Sequence, residues 1–165
     1  MPVFAVTSLE LSLFLHITAA VVGFGSTFAE SITFPVAMRL DRRHLPYVHR
    51  LQRVINTYFA VPALVVVLAT GFYQVDKFVF SLGDAWISIS LGLVLLIAVA
   101  NLAYFIPQDR KLEAMVSREL AAAGDGDAEL SRDYMTASRN TGIAGALSGV
   151  ALIVIIFLMT TKPGA

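Results

Sequence analysis

The 165-residue chain contains no cysteine. That excludes disulfides, zinc–thiolate sites, iron–sulfur clusters and thiol chemistry together. Tryptophan occurs once and histidine three times, at His16, His44 and His49, so any ligation chemistry rests on few side chains. An excess of one charge is also missing. Twelve basic and twelve acidic residues give a net charge of zero, and no basic surface argues for nucleic acid as a partner. There is no P-loop, no GxGxxG, no HExxH and no legible nucleophile–histidine–acid arrangement. GFGS at 23–26 follows no strand and is not a phosphate cradle. These absences lean the reading away from an enzyme.

What is present is apolar. Hydrophobic residues make up 57% of the chain and the mean hydropathy is +0.74, against about 45–50% apolar residues in a soluble domain. The excess lies in four runs, residues 11–38, 54–75, 85–107 and 141–161. Each is long enough to cross a hydrocarbon core, which takes roughly 20 helical residues. The runs are continuous, unlike the alternating strands of a membrane barrel, and a helix satisfies its own backbone in lipid. The sequence therefore predicts an all-α fold. It is a four-helix transmembrane bundle, up-down-up-down, forming a single domain over residues 1–165.

Charge sets the expected orientation. Arg39, Arg42, Arg43, Arg50 and Arg53 lie between the first two runs, and Arg110, Lys111, Arg118, Arg132 and Arg139 between the last two. Only Lys77 and Lys162 lie elsewhere. The positive-inside rule makes loops 39–53 and 108–140 cytoplasmic and puts both termini outside, in a multi-pass protein of the cell's inner (plasma) membrane. Tyr73, Phe78, Phe80 and Trp86 read as an outer aromatic belt. Residues 39–53, divided by Pro46, read as an interfacial connector on anionic head groups. Residues 108–139 read as a cytoplasmic helical hairpin, with Leu112, Met115, Val116 and Leu120 at helical spacing and GDGD at 124–127 as the break. The N-terminus lacks a basic n-region and a cleavage site, so the first run is expected to be retained. No internal repeat is legible.

The first run carries the candidate site. His16, Gly23 and Glu30 are seven apart and share one helix stripe, and ionisable groups at membrane depth turn towards other helices. Small and polar residues stripe the second run (Asn56, Ala60, Ala63, Thr70, Gln74) and the third (Ser90, Asn101). With Leu11 at the outer end, His16 comes level with Thr70 and Ser90. Glu30 comes level with Asn56 and close to Asn101, giving a polar intramembrane cluster of Glu30, Asn56 and Asn101. Glu30 reads as a carboxyl for proton handling or cation coordination, or as a structural hydrogen-bonding group. His16 reads as a haem or metal ligand, or as a packing residue. His16 is 23 residues from Arg39, roughly 35 Å of helix, so a haem shared with His44 or His49 in one subunit is not expected. A sixth position would be open, taken by Met159, or supplied by a symmetry mate. A site joining His44 and His49 to Glu30 has poor spacing, and no metal site is assigned. In the fourth run Gly142, Gly145 and Gly149, with GxxxG at 145–149, read as helix-packing residues within the bundle or as a homo-oligomer seam.

LHITAAVVGFG at 15–25, a Leu–His pair early in the first span followed by small residues, resembles the first helix of the copper resistance D and membrane protoporphyrinogen-oxidase-like superfamily. ATG at 69–71, ending the second span, is similar too. The likeness is greatest to an uncharacterised bacterial branch of predicted integral membrane proteins, and it covers the four-helix layout. It implies haem at the first-helix histidine, here His16, with haem b the leading cofactor candidate. Oxidase-like members are associated with a lysine in a later span, and this chain has none in its second, third or fourth run. The expected function is a small integral membrane protein with a polar intramembrane site at His16 and Glu30 that binds haem or another cofactor. Its partners are the lipid bilayer and, through helix four, a second copy. The alternatives are a proton- or metal-ion-conducting transporter subunit and a structural or assembly subunit.

Overall fold

The structure is a computed structural model that describes residues 6–77, 80–124 and 129–164. Met1, Phe78 of the expected belt and residues 125–127 of GDGD lie outside the described residues. Helix α1 spans Ser8–Leu40 and opens on a capping box, in which Thr7 accepts from the Glu10 backbone and Glu10 accepts from the Thr7 backbone. A tight turn at Arg42–His44 leads into α2, Leu45–Ile55, whose Pro46 sits in the first turn where a missing N–H costs nothing. One π-helical turn, Asn56–Ala60, joins α2 to α3, Val61–Lys77. The same device recurs between α4, Ala85–Ala100, and α5, Ile106–Ala123, at Asn101–Phe105. Helix α6 is Arg132–Thr161.

These elements make four rods, Ser8–Leu40, Arg42–Lys77, Ala85–Ala123 and Arg132–Thr161, each long and apolar enough to cross a membrane. Between 11% and 28% of each apolar window is buried inside the chain. The rest of that apolar surface faces outward, which a soluble monomer does not tolerate and a lipid environment requires. The fold is an all-α four-helix bundle, with no strand among the described residues. Rods of 33, 36 and 39 residues reach roughly 50–58 Å at 1.5 Å per residue, well beyond a core of about 30 Å. Successive rods run antiparallel, so Ser8, Lys77, Ala85 and Thr161 gather at one end, the termini end. The arginine-bearing turns gather at the other.

Helix α1 packs most extensively on α3, α4 on α6, and α2 on α5. One apolar core, with Ala63, Leu64, Val67, Val94, Ile97 and Leu152 among its buried residues, fills the middle of the bundle. A second, built on Ala37, Leu45, Val48, Leu112, Val116 and Tyr134, closes the arginine-rich end. Residues 39–53 are therefore more than a surface connector, since one of their faces is part of this core. Leu45, Val48 and His49 are buried, because the apolar face of α2 finds that of α5. His49 Nε2 and the Tyr134 hydroxyl lie 2.7 Å apart in this core. Tyr134→Phe leaves that nitrogen without a partner, at a cost of about 1–3 kcal/mol. The expected result is a lower unfolding temperature in detergent. An unchanged midpoint would show that the pair contributes nothing.

Candidate functional site

The interface between α1 and the second rod is a ladder of polar contacts. Tyr73 donates to Ser8 Oγ at 3.0 Å, and the Gln74 amide to Ser12 Oγ at 3.2 Å. His16 Nδ1 meets Thr70 Oγ1 at 2.8 Å. Further along, Asn56 Nδ2 donates to Glu30 Oε2 at 3.2 Å and Gln52 to Thr33 Oγ1 at 3.0 Å. Midway, the helices close up at Gly23, where a Cβ would stand 2.8 Å from that of Ala63. His16 with Thr70 and Glu30 with Asn56 are the pairings that follow from Leu11 at the outer end. The two ionisable residues do not meet. Fourteen residues put them roughly 21 Å apart along α1, and each serves its own site.

His16 lines a cavity of about 290 Å³ at the termini end, among α1, α3, α4 and the end of α6. Its walls are mostly apolar, with Ile17, Val67, Leu68, Phe72, Ile87 and Val94 among them. The hydrogen bonds favour one tautomer of His16. The Thr70 hydroxyl has one proton, and the Val66 carbonyl lies 2.6 Å away to take it. With that bond made, the hydroxyl accepts from His16, which assigns the ring proton to Nδ1 and the lone pair to Nε2. Gly71 completes the seat, since a Cβ there would lie 3.5 Å from His16 Cε1. Two residues of the ATG at 69–71 thus orient the imidazole. Met159 and Lys162 also line the cavity. So do Trp86 and Ser90, whose buried Nε1 and Oγ have no hydrogen-bond partner among the described residues.

The second site lies nearer the arginine-rich end. Glu30 Oε1 is buried without a partner, while Oε2 is held by Asn56. Asp109, on α5 and 3% exposed, interacts with Asn56 and Arg53. Arg53 also pairs with Glu113 at 3.0 Å. The cluster is thus Glu30, Asn56 and Asp109. Asn101 is buried but turns its amide onto its own helix, donating to the Ile97 carbonyl at 3.1 Å, and no bond to Glu30 occurs among the described residues. His44 is exposed and His49 is taken up by Tyr134. No group of three or more His, Cys, Asp or Glu among the described residues is disposed to hold a metal ion. On α6, Gly149 approaches Phe28, whereas Gly142 and Gly145 have open space above them.

Asp109 escaped the sequence reading, although a signal for it exists. Asn56 precedes Pro62 by six residues, and Asn101 precedes Pro107 by six. A proline lacks an N–H and its ring crowds the carbonyl four residues back. In each rod the residue before the proline reaches one step further, Val61 N–H to Asn56 O and Ile106 N–H to Asn101 O. The wide turn lets the helix continue through the proline, so Asp109 stays on a buried helical face. Such π-turns are frequent at functional sites.

Residues 10–163 match the model of a family described as "Predicted integral membrane protein (DUF2269)". No curated protein and no solved structure matches.

Proposed function

Because the chain belongs to the DUF2269 family of predicted integral membrane proteins, we propose a membrane function for it, the binding of a cofactor in the cavity beside His16. Haem b is the leading candidate, and His16 Nε2 would hold it. The observation that carries this reading is the 2.8 Å contact of His16 Nδ1 with Thr70 Oγ1 beside an apolar cavity. With the hydroxyl accepting from Nδ1, Nε2 is left free for ligation. Met159, in the same wall, is a second side chain that would hold it. When bound, haem would supply one-electron chemistry. The enclosed volume of about 290 Å³ is at the small end of ligand sites, which run from about 300 Å³, so the macrocycle must extend beyond the enclosed part. In this reading the membrane is the cell's inner membrane and the arginine-rich end is cytoplasmic.

The test is an ultraviolet–visible spectrum with metal analysis, on protein purified gently after expression with ample haem. A stoichiometric Soret band that His16→Ala removes is the expected result. A colourless, metal-free protein overturns the reading.

A second reading is favoured by the unpartnered Glu30 Oε1 beside a second buried carboxyl, Asp109. It is passage of protons or a metal ion past Glu30. There, Glu30→Gln abolishes flux in liposomes while leaving the unfolding temperature near that of the wild type. Flux unchanged by the substitution removes it. A third, association of two copies through α6, draws on the open space over Gly142 and Gly145. It predicts a cross-linked dimer that Gly145→Leu abolishes.

A further inference from the structure

We propose that the cavity at the termini end is a carboxylate-recognition site. Trp86 Nε1, Ser90 Oγ and the Lys162 ammonium hold a carboxylate whose apolar body lies against the cavity walls. The inference rests on the reading that this cavity binds an amphipathic molecule, but not on iron.

The argument starts from unmet demand. Trp86 is 5% exposed and Ser90 0% exposed, and a buried donor without a partner costs about 1–3 kcal/mol. Folded proteins leave few such groups, and each needs a physical reason. Here two stand in the wall of one cavity. The indole N–H can only donate and the serine hydroxyl is able to, so together they call for an acceptor oxygen. Lys162 adds charge. Its Nζ stands 4.8 Å from the Phe80 ring centroid and 5.8 Å from that of Trp86, which places the cation at the cavity rim. Among the described residues no carboxylate pairs with Lys162, and no Asp or Glu lines the cavity. A neutral carbonyl would meet the two donors and leave the ammonium with its aromatic neighbours alone. A carboxylate meets all three, and charge-assisted bonds of this kind are the stronger ones. Gln74, the remaining amide in the wall, already donates to Ser12.

Two kinds of molecule carry this chemistry into a bilayer. One is a porphyrin with propionate side chains. The other is a fatty acid. The experiment separates them with matched acid and ester pairs, haem against haem dimethyl ester and palmitate against methyl palmitate. Each is titrated into full-length protein in a neutral detergent. Haem is read by its Soret band and palmitate by native mass spectrometry. The expected result is an acid form bound at least 10-fold more tightly than its ester. The preference falls towards unity in Lys162→Gln and is reduced in Trp86→Phe and Ser90→Ala. Lys162 is exposed at the end of α6, so Lys162→Gln retains the fold, and the unfolding temperature of every variant checks this. Equal binding of acid and ester overturns the proposal. So does a preference that survives all three substitutions, and so does failure of both acids to bind. If haem and its ester bind equally, through His16, the carboxylate site fails while the haem reading stands. If palmitate shows the preference and no Soret band develops, the haem reading fails while the carboxylate site stands.

Discussion

Thr70→Val is expected to lower the affinity of the proposed His16 site for haem by about 10- to 100-fold, the range seen when the outer-shell partner of a ligating histidine is removed. Valine keeps the volume of threonine and deletes the acceptor. The Nδ1 proton then has no fixed partner, the two tautomers mix, and the ring is free to turn in its seat against Gly71. Thr70→Ser keeps the hydroxyl and restores affinity. A readout independent of haem comes from nitrogen chemical shifts of His16 in the ligand-free protein. The wild type is expected to show a single Nδ1-protonated form, and Thr70→Val a mixture. A valine variant that retains the single form would show that something other than Thr70 orients the imidazole.

Gly23→Leu produces the largest loss of stability expected of any single substitution here. At that point α1 and α3 are so close that even a methyl group would stand 2.8 Å from the Ala63 Cβ. Overpacking costs about 1–3 kcal/mol in ordinary cores, and here the listening neighbour is part of a helix that cannot move alone. Forcing the helices apart at Gly23 lengthens both His16–Thr70 and Glu30–Asn56, which flank it by one heptad on either side. The expected result is a fall in unfolding temperature together with loss of ligand binding at the His16 site. Gly23→Ala has a smaller effect, and adding Ala63→Gly to it restores stability by exchanging the methyl groups. A Gly23→Leu protein that melts with the wild type would show that the approach is not tight.

Much of this was legible because hydrocarbon leaves polar groups few options. Four long apolar runs can only be helices there. An ionisable residue in one of them must find a partner on another, and equal rise along antiparallel helices then pairs His16 with Thr70 and Glu30 with Asn56. Where water is near, the constraint relaxes and the sequence speaks less clearly. Arginines and Pro46 made residues 39–53 read as surface, yet an arginine projects outward while Leu45 and Val48 on the opposite side of the same turns pack inward. Asp109 was hidden for a similar reason. It follows Pro107 in a charged stretch, and only the wide turn at Asn101 keeps the helix continuous and turns that carboxyl inward. Trp86 read as a belt residue because burial of its indole depends on Phe80 and Lys162, which are distant in sequence or across a turn.

The polar ladder between α1 and the second rod also bears on how the protein enters its membrane. Released into lipid alone, α1 would present His16 and Glu30 to hydrocarbon, and the groups that satisfy them, Thr70 and Asn56, are made only with the following rod. The two rods are therefore most stably inserted together, as a preformed hairpin that Gln74 extends to Ser12. Beyond Tyr134, which bonds to His49 at the arginine-rich end, helix α6 has less such dependence. Thr141, Ser148, Thr160 and Thr161 all bond to carbonyls of their own helix. It can partition into the bilayer as an independent segment and dock afterwards, so the order of translation matches the order in which the helices need one another.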